Sequence, residues 1–200
     1  ELIKQLATDE DINVRIALTR NVVLLEADST GNIIKQLAQD EDGNVRAEIA
    51  RREDLLEVDP TGNLIKQLAK DRNKWVREKI AYRKDLLEAD PTGNIIKQLA
   101  KDRNKSIRNI VAVREDLLQA DPTGNIIKQL AKDNDQLVRS KISGRKDLLQ
   151  ADPSGNIIKQ LAQDEDGNIR QYIAYNSSKD LLQADPTGEL IKQLAQDNNF

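Results

Sequence analysis

The chain has 200 residues, with 31 Lys and Arg against 34 Asp and Glu and only 2% aromatic residues. Leu, Ile, Val and Ala must build nearly all of any core, which suits thin layers between short helices better than one large globular centre. The absence of Cys excludes a disulfide framework, thiolate metal sites and cysteine catalysis, and the absence of His removes the usual neutral-pH base and the commonest nitrogen ligand.

A strict internal repeat organises the rest. The segment Lys-Gln-Leu-Ala recurs with its Leu at Leu6, Leu37, Leu68, Leu99, Leu130, Leu161 and Leu194, spaced by 31 residues five times and then by 33. An apolar-Arg pair recurs in the same register at Arg15, Arg46, Arg77, Arg108, Arg139 and Arg170, and Asp-Leu-Leu recurs from Asp54, Asp85, Asp116, Asp147 and Asp180. The pattern predicts one repeat domain over 1–200, an α-solenoid of about six and a half repeats: 1–29 in part, 30–60, 61–91, 92–122, 123–153, 154–186 and 187–200 in part. The chain starts inside a repeat, as expected of a fragment of a larger protein, and carries no start Met or signal peptide.

Within the repeat running from Asp59, Asp59-Pro60 reads as an N-cap followed by Pro at the first helical position. Leu64, Ile65, Leu68 and Ala69 then form one apolar stripe, with Lys66 and Gln67 toward solvent, so a helix A is predicted that ends near Lys70. A polar turn from Asp71 to Lys74 leads into helix B, marked by Trp75, Val76, Ile80 and Ala81. A two-residue insertion within 175–179 separates helix B from the Leu-Leu pair in the sixth repeat. Inside a continuous helix it would rotate everything downstream by about 200°. A short third helix, all-α or 3₁₀, is therefore predicted to start at each Asp-Leu-Leu, with Asp54 to Glu57 as a capping box. The predicted core is Ile65, Leu68, Val76, Ile80, Leu86 and Leu87 with their equivalents. Single repeats cannot bury these faces, whereas stacked ones can.

Leu-Ala-x-Asp-x-x-x-x-Val-Arg-x-x-Ile-Ala, seen at Leu37 to Ala50 and with Ile for Val at Leu161 to Ala174, resembles both the bacterial variant leucine-rich repeat and short HEAT-like repeats. The resemblance implies a stacked Asp/Arg ladder from Asp40/Arg46, Asp71/Arg77, Asp102/Arg108, Asp133/Arg139 and Asp164/Arg170. It implies no catalytic residue, and the Cys-rich iron–sulfur segment of one variant leucine-rich arrangement is missing, so no redox role transfers.

No catalytic residue, metal site or cofactor is expected. Asp40-Glu41-Asp42 and Asp164-Glu165-Asp166 resemble the first half of a calcium loop, but an EF-hand needs Gly at position 6 and Glu at position 12, where Val45 and Arg51 stand; a turn with an N-cap is the preferred reading. A second Arg column, Arg52, Arg83, Arg114 and Arg145, falls at the end of helix B, where the helix dipole favours cations, and is expected to be partly exposed. Trp75 takes a position held elsewhere by Asn44, Ser106, Leu137 and Asn168, so the core does not require it.

Charge supplies the main functional clue. Residues 1–60 carry a net −7, 61–153 a net +7 and 154–200 a net −3. Lys70, Arg72, Lys74, Lys101, Arg103, Lys105 and Lys132 recur on the turn between helices A and B and, with Trp75, form the candidate interaction surface. The expected function is a non-catalytic scaffold for protein–protein interaction or assembly, with nucleic-acid backbone binding by the basic stripe as the alternative. Scarce aromatics and acidic flanks weigh against nucleic acid. The expected partners are a protein, or further repeats or a cap. Self-association through terminal stripes at Leu2, Ile3, Leu6, Ile191 and Leu194 is also expected. No 18-residue apolar run points to a membrane, and the favoured compartment is the cytoplasm.

Overall fold

A computed structural model describes residues 2–176 and 178–197. Among them the chain is all α, with nineteen short helices. It forms two compact bodies, Glu1–Leu99 and Ala100–Phe200, each an α-solenoid of short helical repeats.

The first body contains α1 (Leu2–Leu6), α2 (Ile12–Thr19) and α3 (Leu24–Ala27), then α4 (Asn32–Leu37), α5 (Gly43–Ala50) and α6 (Leu55–Val58), then α7 (Asn63–Leu68), α8 (Lys74–Ala81) and α9 (Leu86–Ala89), and ends in α10 (Asn94–Leu99). The B helices stack, α2 on α5 and α5 on α8, while α7 packs on α5, α8 and α9. The second body holds α11 (Lys105–Ala112), α12 (Leu117–Ala120), α13 (Asn125–Leu130), α14 (Gln136–Ser143) and α15 (Leu148–Ala151), followed by α16 (Asn156–Leu161), α17 (Gly167–Asn176), α18 (Ser178–Ala184) and α19 (Glu189–Ala195). Here α11 packs on α14 and α14 on α17.

The three-helix repeat is as expected, and the third element is a single α-helical turn: the Ala89 N–H donates to the Asp85 carbonyl at 2.9 Å, an i to i−4 bond. Helix A starts later than Asp59-Pro60 suggests. Gly62 has φ of +67° and cannot be helical, so Asp59 to Gly62 is a β-turn closed by the Gly62 N–H on the Asp59 carbonyl at 3.0 Å. The Asp59 carboxylate still serves the helix, but from five residues away, accepting the Leu64 N–H at 2.7 Å and the Thr61 hydroxyl. Asp28, Asp90 and Asp121 repeat the arrangement.

The core residues Ile65, Leu68, Val76, Ile80 and Leu86 are buried, as are their equivalents in the internal repeats, whereas Val14 in the first, partial repeat is half-buried. Leu87 is only half-buried, as are Leu56, Leu118 and Leu149, because a one-turn helix can turn only the first of two adjacent Leu side chains inward. Gln67 is exposed as expected, but Gln98, Gln129 and Gln160 are not free. Gln98 and Gln160 donate to the carbonyls of Ala69 and Ala131 at 2.8 Å, tying α10 and α16 to the residue that follows the preceding helix A, and Gln129 donates to that of Ala100 at 2.9 Å. The insertion in the sixth repeat is taken up by longer helices: α17 has ten residues against eight in α14, and α18 seven against four in α15. Ser177 lies outside the described residues. At the terminal stripes, Leu2 is exposed and Ile3 and Leu6 half-buried, but Leu194 is buried because α19 packs on α17 and α18. Ile191 is half-buried, like Ile3, so the expectation of a bare apolar stripe at both ends fails at Leu194.

Candidate interaction surfaces

Two arginine columns brace the repeats from opposite ends of helix B. At the start, Arg46 reaches the Asp71 carboxylate of the next repeat through Nε at 2.7 Å and Nη2 at 2.8 Å, and its Nη1 donates to the Asp40 carbonyl of its own repeat at 2.6 Å. Arg15 holds Asp40, Arg108 holds Asp133 and Arg139 holds Asp164 in the same way. Arg170 pairs with Asp197. Burial would raise the Asp71 carboxyl, but the Arg46 guanidinium and the Asn73 N–H outweigh it and hold the group below its ordinary value. Asp133 and Asp164 are lowered by the same balance.

The second column departs from expectation. Arg52, Arg83, Arg114 and Arg145 are well covered rather than exposed. Each grips the Asp two residues later, so Asp54, Asp85, Asp116 and Asp147 make no side-chain cap on the third helix, and the capping-box reading fails. Arg52 Nη1 also reaches back to the Thr19 carbonyl at 2.7 Å and that of Asn21 at 2.9 Å. Arg83 and Arg145 repeat this on Ala50 and Ala112 at 3.1 Å. The guanidinium thus caps the open carbonyls of the preceding helix B while neutralising an Asp of its own turn. The Arg-x-Asp spacing, two residues apart in four repeats, was the available signal.

The acidic turns are structural. Asp42 caps α5 by accepting the Asn44 N–H at 2.6 Å, and Asp40 is taken by Arg15 and the Asp42 N–H. Asp164 and Asp166 repeat the pattern. Among the described residues, no group of three or more His, Cys, Asp or Glu could hold a metal ion.

The basic turn residues lie outside these networks to different degrees. In the first body Lys70, Arg72 and Lys74 are exposed; the Lys74 ammonium sits 4.5 Å from the centre of the half-exposed Trp75 ring, and Arg72 donates to the Glu41 carbonyl at 3.3 Å. In the second body Lys101, Arg103, Lys105 and Lys132 are exposed, and Lys105 pairs with Asp135 at 3.0 Å. Two surface grooves in the first body lie between the ends of adjacent B helices. One, of about 420 Å³, is lined by Arg20, Glu48, Arg51 and Glu53 among others. The larger, of about 710 Å³, is lined by Arg51, Glu53, Lys79, Tyr82, Arg83, Lys84 and Asp85.

No family model matches the chain, and no curated protein matches it. The architecture is that of an all-α repeat protein. None of the described helices is long and apolar enough to cross a membrane.

Proposed function

We propose that the chain is a non-catalytic repeat scaffold that docks a protein partner on its side surface, within the cytoplasm. Its kinship on this reading is with the variant leucine-rich and short HEAT-like repeats, neither of which has a common catalytic residue. The observation that supports docking is the division of labour among the charged residues. Two Arg columns and their Asp partners are covered and spent on bracing, whereas Lys70, Lys74, Lys101 and Lys132 face solvent and make no ion pair among the described residues. These cations take no part in that bracing, and exposed like charges on the turns of each body create a local field for an anionic partner.

Polyglutamate and duplex DNA, titrated in parallel against the chain and its Lys70→Glu, Arg72→Glu, Lys74→Glu variant, test the reading. Binding of polyglutamate that weakens in the variant is expected. Duplex binding alone, with a steep salt dependence that flattens in the variant, would replace the protein partner by nucleic acid.

A further inference from the structure

The repeats differ from one another in a patterned way. Helix A is almost invariant, reading Asn-Ile-Ile-Lys-Gln-Leu-Ala at 94–100, 125–131 and 156–162, although its Asn94, Asn125 and Asn156 are exposed. Helix B keeps its core positions and its Arg; apart from its first residue (Gly43, Lys74, Lys105 and Gln136), it changes at four positions. Asn44, Ala47, Glu48 and Arg51 in α5 become Trp75, Glu78, Lys79 and Tyr82 in and after α8, and Leu137, Ser140, Lys141 and Gly144 in and after α14. This i, i+3, i+4, i+7 spacing is one face of one helix. Exposure alone does not explain the variation, since exposed residues of helix A hardly vary.

The Trp and Tyr residues occupy the same face of their respective B helices. Trp75, Tyr82, Tyr172 and Tyr175 are every Trp and Tyr in the sequence, and all stand at these positions. They are 47%, 62%, 49% and 85% exposed, while the core is built without a single ring among the described residues. Aromatic side chains normally supply core area, and those held in water at a variable position are the residue types that dominate binding energy at interfaces.

We propose that this face of helix B is the recognition surface, and that in the first body the groove between the ends of α5 and α8 takes an acidic peptide segment. The inference rests on the reading of the chain as a protein-binding scaffold and assigns it a different site from the basic turn. Charge selects the occupant. Arg83 and Asp85 in the groove wall satisfy each other, leaving Arg51, Lys79 and Lys84 against Glu53. Arg51 is also 3.5 Å from Glu48, a long and exposed contact, and Lys79 is 3.9 Å from Glu78. Tyr82 lines the same groove with a flat, exposed ring, so a carboxylate beside an apolar side chain fits both features. A groove of about 710 Å³ has room for a few side chains, as ligand clefts of roughly 300–1,000 Å³ do.

Selection of the whole chain against a displayed library of random linear peptides, followed by titration of the selected peptides, tests this. Trp75, the only Trp, sits on the proposed face and reports binding by its fluorescence. The Tyr82→Val, Lys79→Glu variant introduces side chains that the equivalent positions already carry as Val113 and Glu48, so the fold is retained. Expected are peptides enriched in Asp and Glu that bind at least about tenfold more weakly to this variant and normally to Lys70→Glu, Arg72→Glu. Peptides lost only by the turn variant would overturn the helix B site and leave the scaffold reading standing. No peptide selected, with polyuridylate or duplex bound instead, would overturn both.

Discussion

Arg46 of one repeat and Asp71 of the next meet through two hydrogen bonds, at 2.7 and 2.8 Å, while the third nitrogen of the same guanidinium closes the turn of its own repeat on the Asp40 carbonyl. One side chain therefore fixes both a turn and its spacing to the neighbouring turn. Removing Arg46 strands a covered carboxylate, which costs about 3–5 kcal/mol. The Arg46→Met variant is expected to lose that much in urea unfolding followed by circular dichroism. Adding Asp71→Asn should restore part of it, because the charge is gone while an oxygen still accepts from Asn73. A double variant no more stable than the single one would deny that the stranded charge is the source of the loss.

Acid should unfold the protein through the same carboxylates. Asp71, Asp133 and Asp164 have lowered pKa values despite burial, because of their Arg partners, and Asp59, Asp90 and Asp152 despite burial because of the Thr or Ser hydroxyl and backbone N–H groups of the following turn. A carboxyl whose folded pKa is depressed contributes stability above its unfolded value, about 3.9, and loses it as pH falls through the folded value. With no His to titrate, thermal midpoints are expected to stay level from about pH 8 to pH 5 and to fall steeply below about pH 4. A midpoint that drops between pH 7 and 5 would point to a different set of groups.

The repeat length, the three helices and the core were legible because each rests on apolar periodicity, which a 31-residue recurrence samples several times over. The resemblance pointed to a ladder of Asp40 and Arg46 paired within one motif, whereas Arg46 takes Asp71 of the next repeat, a choice the motif cannot make because both partners recur at every period. What the sequence hid were bonds running between repeats. Arg52 looked like a cation at a helix end, and the carbonyls of Thr19 and Asn21 that bury it are more than thirty residues away. Asp54 looked like a cap because Glu57 follows at capping-box spacing, yet Arg52 takes the carboxylate first. The aromatic face was half visible: Trp75 stood out as dispensable to the core, but its relation to Tyr82, Tyr172 and Tyr175 emerges only once helix B has a register.

The turn glycines separate two costs. Gly62 has φ of +67°, and a Cβ there would lie 2.3 Å from the Ala89 carbonyl oxygen; Gly188 has φ of +72° and nothing within 4 Å. Left-handed strain of about 1–2 kcal/mol applies to both. Gly188→Ala should cost no more than that strain, while Gly62→Ala adds a backbone clash and should lower the thermal midpoint several times further. Equal losses at the two sites would show that the turn relaxes away from α9.

Leu99, the last residue of α10, is fully buried, whereas Leu87 is half-exposed beside the buried Leu86. Leu99→Ala is expected to cost about 2–5 kcal/mol, and Leu87→Ala distinctly less. A Leu99→Ala loss well below ~1 kcal/mol, the order expected of surface positions, would mean that the apolar stripe of helix A has been assigned to the wrong face.

Asn109 offers a substitution expected to stabilise the chain. Its Oδ1 is buried in α11 and has no hydrogen-bond partner, the one such side-chain atom among the described residues. An unsatisfied buried acceptor costs about 1–3 kcal/mol, and Asn is a poorer helix former than Ala by roughly half a kcal/mol. The equivalent position of α5 carries Ala47, which packs there at 7% exposure, so the scaffold already accommodates the smaller side chain. Some packing is lost with the amide, which leaves an expected net gain of about 1 kcal/mol, or roughly 2–4 °C in thermal midpoint for a domain of this size. Differential scanning calorimetry of Asn109→Ala against the parent chain measures it. A lowered midpoint would show that Oδ1 is satisfied after all, by a trapped water bridging it to a neighbouring polar group, since removing such a water's partner costs stability instead of restoring it.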